Sequence, residues 1–188
     1  MITVRQEQPD DIAAVRAINE TAFAPYTPQE KEAGKPAEAG IVDAIRSRCS
    51  NVVSLVAVED GTIVGHIFFS PVFISIPSGT TIQGMGLAPM AVLPEFQGQG
   101  IGSMLVRAGI DAIRERNCPF IIVVGHPEYY PRFAFVPDSG HGLTCQWDGV
   151  PDEAFMVLVL DEEAMSNVSG VARYREEFNQ AMVGDDDD

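Results

Sequence analysis

Three glycines at alternate positions, Gly98, Gly100 and Gly102, follow an apolar run ending at Val92-Leu93-Pro94 and lead into a helical pattern starting at Ile101. The first N–H groups of a helix lack internal partners and carry about half a positive charge from the aligned peptide dipoles. Glycines leading into such an end remove the Cβ atoms that would hold an anion away, so the chemistry on offer is phosphate binding by backbone. No lysine lies between Gln97 and Ser103, which leaves the task to main-chain donors. A nucleoside-triphosphate loop needs Lys-Ser or Lys-Thr after its final glycine, whereas Ser103 follows Gly102 directly. A dinucleotide fold needs Gly-x-Gly-x-x-Gly and an acid about 20 residues on. The spacing here is two and two, and the next apolar run, Phe120 to Val124, has no such acid. A tight turn of structural use alone is the rival reading of these glycines. Beyond the loop, His126 carries a group whose ordinary pKa of about 6.5 suits a proton acceptor, against a structural histidine. Cys49, Cys118 and Cys145 are far apart, form no Cys-x-x-Cys pair and point to no metal. Cys145 with His141 is a rival nucleophile pair.

These residues need elements to place them. Ile2 to Arg5 reads as a strand, and Pro9-Asp10-Asp11 opens a helix carrying Ile12, Val15, Ile18, Ala22 and Phe23 at helical spacing. Pro25 to Gly40 is rich in proline and glycine and reads as a loop, followed by a helix through Ile41, Val42, Ala44 and Ile45. Val52 to Val58, the turn Glu59-Asp60-Gly61 and Thr62 to Ser70 form an antiparallel hairpin. Val72 to Ile76 is a further apolar run, and Thr80 to Val92 is the next strand, broken by Gly84, Gly86 and Pro89. Such breaks mean a bulge, an edge or close approach of something else to the backbone. From Ile101 a helix presents Met104, Leu105, Ala108, Ala112 and Ile113 on one stripe, closed by Asn117. The strand Phe120 to Val124, a short helical segment over Glu128 to Phe133 and the strand Phe155 to Leu160 follow. Val171 to Val183 has the spacing of a terminal helix with Tyr174 and Phe178 packing back, before a solvated tail, Gly184 to Asp188. This order predicts a mixed sheet flanked by helices, in the α/β or α+β class.

Leu87 to Leu105 resembles the cofactor motif of the GCN5-related N-acetyltransferases (GNAT), Gln/Arg-x-x-Gly-x-Gly/Ala after a Val-x-Pro strand end, through Gln97, Gly100 and Gly102. Gly125-His126-Pro127-Glu128-Tyr129-Tyr130-Pro131-Arg132-Phe133-Ala134-Phe135 is similar to the YhbS-like branch of that family. The resemblance implies a mostly antiparallel sheet with one splayed parallel strand pair, helices on both faces and acetyl-CoA as co-substrate. It places an N-acetyltransferase domain over residues 1–165, with a carboxyl-terminal extension over 166–188. The pyrophosphate would rest on Gln97, Gly98, Gln99, Gly100, Ile101, Gly102 and Ser103, and the pantetheine amides on backbone at Met90, Ala91 and Val92. Tyr130 takes the place of the family's general acid, with Ala134 where a glycine is usual. A phenol of ordinary pKa about 10 is protonated at neutral pH and can donate to a departing thiolate. The family's glutamate on the broken strand is missing, since Thr80 to Val92 contains no carboxylate. His126, Glu95 or a remote group through water are the alternatives for the base. The implied reaction is direct acetyl transfer to a primary amine; a non-catalytic acyl-CoA binder would keep the loop and have no use for Tyr130.

The 188 residues suit one domain with one core, and apolar residues at 46% with charged residues at 21% fit a globular chain. The amino terminus lacks a signal-peptide pattern and no apolar run approaches the ~20 residues of a membrane span, which predicts a cytoplasmic protein without membrane contact. A net charge of −15, four of it from Asp185 to Asp188, disfavours nucleic acid and suits a cationic acceptor. That acceptor, a small molecule or a peptide amine, would be chosen by loops such as Pro25 to Gly40 and Ser139 to Asp152. The segment after Leu160 offers a packing or homodimer element.

Overall fold

A computed structural model describes residues 1–24, 37–76 and 79–179. Most of the expected Pro25 to Gly40 loop, residues 25–36, lies outside them, as do residues 180–188 with the aspartate tail. Where the length predicts one core, the chain forms two compact units. The first comprises Met1–Phe68, Pro89–Gly109 and Glu177–Asp188, and the second Phe69–Ala88 and Ile110–Glu176.

In the first unit, strand β1 (Ile2–Gln6) pairs antiparallel with β2 (Val53–Glu59), in the register Ile2↔Glu59 to Gln6↔Leu55. Asp60 (φ +47°) and Gly61 (φ +82°) turn β2 into β3 (Thr62–Ser75). Positive φ at both central residues is the hairpin turn whose twist matches its strands, as Asp-Gly predicts. The expected separate run Val72 to Ile76 is part of the same strand, which continues through Pro71. Helix α1 (Ile12–Ala22) buries Val15, Ile18 and Asn19, while Ile12 at its start is exposed. The carboxylate of Asp11 fastens that start. It accepts from the Gln8 N–H at 2.7 Å and, through two oxygens, from Arg5 at 2.5 and 3.0 Å. This fork holds the Asp11 carboxyl down at about 2. Helix α2 (Ala37–Arg48) begins four residues earlier than its apolar pattern predicts and buries Ala39, Ile41, Val42 and Ile45.

A buried polar chain joins these elements. Asn19 donates its amide to the Val15 carbonyl (2.9 Å) and to His66 Nδ1 (3.0 Å). The other ring nitrogen of His66, Nε2, therefore carries the proton and lies 2.9 Å from Ser54 Oγ, which donates to Glu7. Glu7 in turn accepts from Arg46 at 2.6 Å. His66 is fully buried, and desolvation, aided by the Arg46 charge, lowers its pKa to about 3. Serine, histidine and glutamate here do not form a nucleophile triad, because Glu7 bonds the serine, whereas a triad acid orients the histidine.

The second unit is built on β5 (Phe120–Val124), β8 (Phe155–Val159) and the first part of β4 (Thr81–Val92). β5 and β8 pair antiparallel from Phe120↔Val159 to Val124↔Phe155, and β6 (Val136–Pro137) adds to β8. The expected parallel pair is β4 with β5. Its register covers Met85↔Ile121 and Gly86↔Ile122, after which β4 runs on to Val92 and β5 to Val124 without further paired residues. A second parallel pair, unexpected from the sequence, joins β7 (Leu143–Cys145) to β9 (Gly170–Arg173). β9 also pairs antiparallel with β3 from Phe73↔Arg173 to Ser75↔Val171. This overturns the expected helix at Val171: Ala172 is fully buried between its neighbours, and ladder pairing outweighs local helical spacing. Tyr174 and Phe178 are buried as expected, the latter in a 3-10 turn over Glu176–Phe178.

Among the described residues nine strands form one mixed sheet in the order β1-β2-β3-β4-β5-β8-β6, with β9 on β3 and β7 on β9. No helix of the described residues is long and apolar enough to cross a membrane.

Candidate functional site

In the first unit, β4 leaves the sheet through the 3-10 turn Pro94–Phe96 and enters helix α3 (Ile101–Arg114) across the glycine loop. Gly98 and Gly100 have φ of +72° and +84°, a conformation that costs an L side chain about 1–2 kcal/mol. A Cβ built on either would meet nothing within 4 Å, so the side that glycine keeps clear is open. Gln97, Gly98, Gln99 and Gly100 are exposed, Ile101 is buried, and Gly102 and Ser103 are half-buried. Two glutamine side chains brace the loop. Gln97 Nε2 donates to the Val92 carbonyl (3.0 Å) and Gln99 Nε2 to the Glu95 carbonyl (3.2 Å). The Met104 N–H reaches the Gly100 carbonyl at 3.0 Å, which starts the helix directly after Gly100. The N–H groups of Ile101, Gly102 and Ser103 precede the first intrahelical donor, Met104, at the end where a helix leaves its N–H groups without an internal acceptor. Ala91 is buried, with Met90 and Val92 half-buried on either side, as strand alternation requires.

The helix is seated by a glycine that sequence reading overlooked. A Cβ on Gly65 would stand 3.1 Å from Leu105, 3.3 Å from the Ala91 carbonyl oxygen and 3.3 Å from Ile101. Glycine on β3 thus lets the first turn of α3 lie close against the end of β4. Leu105 is at the centre of the buried stripe, and Met104, expected on it, is exposed.

In the second unit, Tyr130 opens the 3-10 turn Tyr130–Phe133 and is 7% exposed. A Cβ on Gly125 would lie 2.3 Å from the Tyr130 ring, so the glycine that ends β5 makes room for the tyrosine. The Tyr129 and Phe135 rings flank it edge-on, at 5.1 and 5.6 Å. Burial raises the phenol well above its ordinary pKa, and Tyr129 adds to the rise. Tyr130 therefore keeps its proton at neutral pH and has it to donate. The turn closes at Ala134 with φ +67°, the left-handed conformation for which glycine is the usual residue. Tyr129 packs on Phe133 at 5.4 Å and lies under the Arg132 guanidinium, 4.6 Å from the ring centre. His126 is exposed, and its carbonyl accepts from the Tyr129 and Tyr130 N–H groups at 2.9 and 3.4 Å. The structure thus brings His126 and Tyr130 into one turn after β5. Cys145 is half-buried and its thiol is pushed up by burial, so it lacks the thiolate character that a nucleophile paired with His141 needs.

One residue of the second unit escaped sequence reading. Asp138 is fully buried in the 3-10 turn Asp138–His141. An aspartate after proline reads as an ordinary turn, and only the folded chain shows it enclosed.

The model of the acetyltransferase (GNAT) family matches residues 15–131. An uncharacterized N-acetyltransferase of Escherichia coli K12, YhbS, is 33% identical over 178 residues, 94% of this chain and 98% of that protein. The crystal structure of Escherichia coli YhbS in complex with CoA has a TM-score of 0.81 at 32% identity, covering 95% of this chain and 92% of that one. A GNAT family acetyltransferase from Brucella melitensis in complex with acetyl-CoA has a TM-score of 0.72 at 33% identity, covering 95% and 98%.

Proposed function

Since the chain belongs to the acetyltransferase (GNAT) family, we propose that it is an N-acetyltransferase that passes the acetyl group of acetyl-CoA directly to a primary amine. The observation that carries this reading is the loop Gln97–Gly102, with two positive-φ glycines open to their surroundings at the start of α3. Relatives at this level of identity were solved with CoA and with acetyl-CoA, and the loop's open, lysine-free backbone fits a pyrophosphate.

Backbone N–H groups of Gly98 to Ser103 hold the pyrophosphate, with Gln97 and Gln99 fixing the loop's shape through their bonds to the Val92 and Glu95 carbonyls. Main-chain groups of Met90 to Val92 pair with the pantetheine amides in the manner of an added strand. Bound acetyl-CoA supplies an acetyl group activated as a thioester. Tyr130 donates its phenol proton to the sulfur that departs, a role its retained proton permits. A main-chain N–H near Val92 polarises the reacting carbonyl.

The reading is tested by incubating the purified protein with acetyl-CoA and a panel of amines and following release of free thiol. Amine-dependent release is expected. Binding of acetyl-CoA without release for any amine would leave a non-catalytic acyl-CoA binder. Gly100→Glu puts bulk and negative charge at the open face of the loop and is expected to weaken acetyl-CoA binding at least tenfold in calorimetry. Unchanged affinity would reject the loop assignment.

A further inference from the structure

From Phe133 to Ala172 the chain carries no lysine and no arginine, and His141 is its one basic side chain there. The acids of the same stretch gather at one loop of the second unit. Residues 139–152 leave and rejoin the unit at a neck where Ser139 Oγ donates to Asp152 at 2.7 Å. Asp148, Asp152 and Glu153 are exposed on this loop and at its end. Asp138, just before the neck, is fully buried, and neither of its oxygens has a hydrogen-bond partner among the described residues. Burial, reinforced by the Asp152 charge, pushes its carboxyl up to about 8, so a positive charge brought near it would be needed to ionise it fully at neutral pH.

Acidic side chains alone select no ligand, but the loop also holds the chain's one tryptophan. Trp147 is half-buried, and its ring packs on Tyr174 with centres 5.0 Å apart and planes 30° apart. Tyr174 is itself buried against β4, where a Cβ on Gly86 would be 2.4 Å from Tyr174 Cε1. Gly86 is the last paired residue of the parallel β4–β5 ladder, opposite Ile122. Three residues on from Ile122, about 10 Å of extended chain, Gly125 makes room for the Tyr130 ring. The aromatic stack and the proton donor are thus seated at, and just beyond, the last pair of that ladder. An indole held by a neighbouring ring and left partly exposed presents a rigid surface to alkyl groups and cations, and tryptophan attracts cations more strongly than the other aromatic side chains.

We propose that Trp147, with the carboxylates of Asp148 and Asp152, recognises the acceptor, and that the acceptor is a small aliphatic diamine whose second, unreacting ammonium rests on the indole. This rests on the acetyl-transfer reading above. The chemistry calls for two nitrogens. The reacting one must shed its proton before its lone pair can attack the thioester, and with that proton goes its attraction to carboxylates and to the indole face. A second alkylammonium, of ordinary pKa about 10.4 as in lysine, keeps its charge throughout and holds the molecule in place. The methylenes between the two nitrogens lie on apolar ring surface, as lysine stems do. A chain of net charge −15 draws in a dication more strongly than a monocation.

Because Trp147 is the only tryptophan, intrinsic fluorescence of the full chain with CoA added reads the site without turnover. Titration with 1,4-diaminobutane should change the emission saturably, whereas n-butylamine and 4-amino-1-butanol at equal concentration should not. The same change and midpoint with n-butylamine would overturn the proposal whatever the protein acetylates. In turnover, the KM for 1,4-diaminobutane should lie at least about tenfold below that for n-butylamine. Trp147→Ala should remove that difference by raising the diamine KM alone, and Trp147→Phe, which keeps a ring on Tyr174, should fall between. Salt should narrow the gap by screening, and joint Asp148→Asn and Asp152→Asn replacement should weaken that salt dependence. Equal KM values for the two amines, equal losses for both in Trp147→Ala, or preference for a lysine-containing peptide over the diamine would each overturn the proposal. A wild-type protein that binds the diamine at Trp147 but acetylates no amine would remove the transfer reading and the acceptor role with it, whereas acetylation of n-butylamine and diamine alike would leave transfer standing and remove the recognition site.

Discussion

At the scale of single residues, the turn after β5 brings a proton donor and a strained backbone together. Tyr130 is enclosed by Tyr129, Phe135 and the glycine face of residue 125, so its hydroxyl can be deleted with little disturbance of packing. Tyr130→Phe is expected to lower turnover about 10²-fold, most at alkaline pH where other proton sources fail, with acetyl-CoA affinity within twofold. Equal turnover in both proteins across the pH range would remove Tyr130 from the reaction. Four residues on, Ala134 occupies φ +67°, which costs a residue with a Cβ about 1–2 kcal/mol, partly offset by the lower unfolded-state entropy of alanine. Ala134→Gly is therefore expected to stabilise the chain by up to ~1 kcal/mol in denaturant unfolding. Destabilisation would mean that the alanine methyl makes a contact worth more than the strain.

At the scale of elements, glycines on β4 decide which side chains can reach the sheet. A Cβ on Gly84 would stand 2.4 Å from the Phe120 ring, and one on Gly86 would strike Tyr174 and Val72. The breaks that sequence reading assigned to a bulge, an edge or close approach are close approach, by aromatic rings. Gly84→Ala must displace a fully buried phenylalanine on β5 and is expected to cost about 1–3 kcal/mol in thermal or denaturant unfolding, the usual penalty of overpacking. A neutral result would show that Phe120 has room to retreat. β9 illustrates the opposite case. Tyr174 and Phe178 show their apolar character in the sequence, but no local signal tells that Gly170–Arg173 extends between β3 and β7 and does not coil.

For the whole molecule, the buried ionisable groups set how stability follows pH. His66 has a folded pKa of about 3, below its unfolded 6.5, so its contribution is complete above 6.5 and is lost as pH falls toward 3. Asp11, held at about 2 against 3.8, behaves likewise in a lower window, losing its contribution below 3.8. Asp138, raised to about 8 from 3.8, has the opposite sign. Its contribution is complete below 3.8 and is lost as pH rises through 8. His66 and Asp138 oppose each other between 3.8 and 6.5, so a plateau is expected there, with a decline between 6.5 and 8 of at most tenfold in the folding constant per pH unit. Unfolding measured from pH 4 to 9 should show this shape, and Asp138→Asn should abolish the upper decline. A wild-type curve still rising from pH 6.5 to 8 would refute the assignment. The glycine loop, the helix after it, the Asp-Gly hairpin and Tyr130 in its motif were legible in the sequence because each rests on local chemistry: φ freedom, helix ends, turn geometry and residue spacing. The division into two units, the strand at Gly170, the seat that Gly65 makes for α3 and the enclosure of Asp138 were not. Each depends on which distant segments come to lie against one another, and burial, the cause of the shifted titrations, is a property that no residue carries in its own sequence neighbourhood.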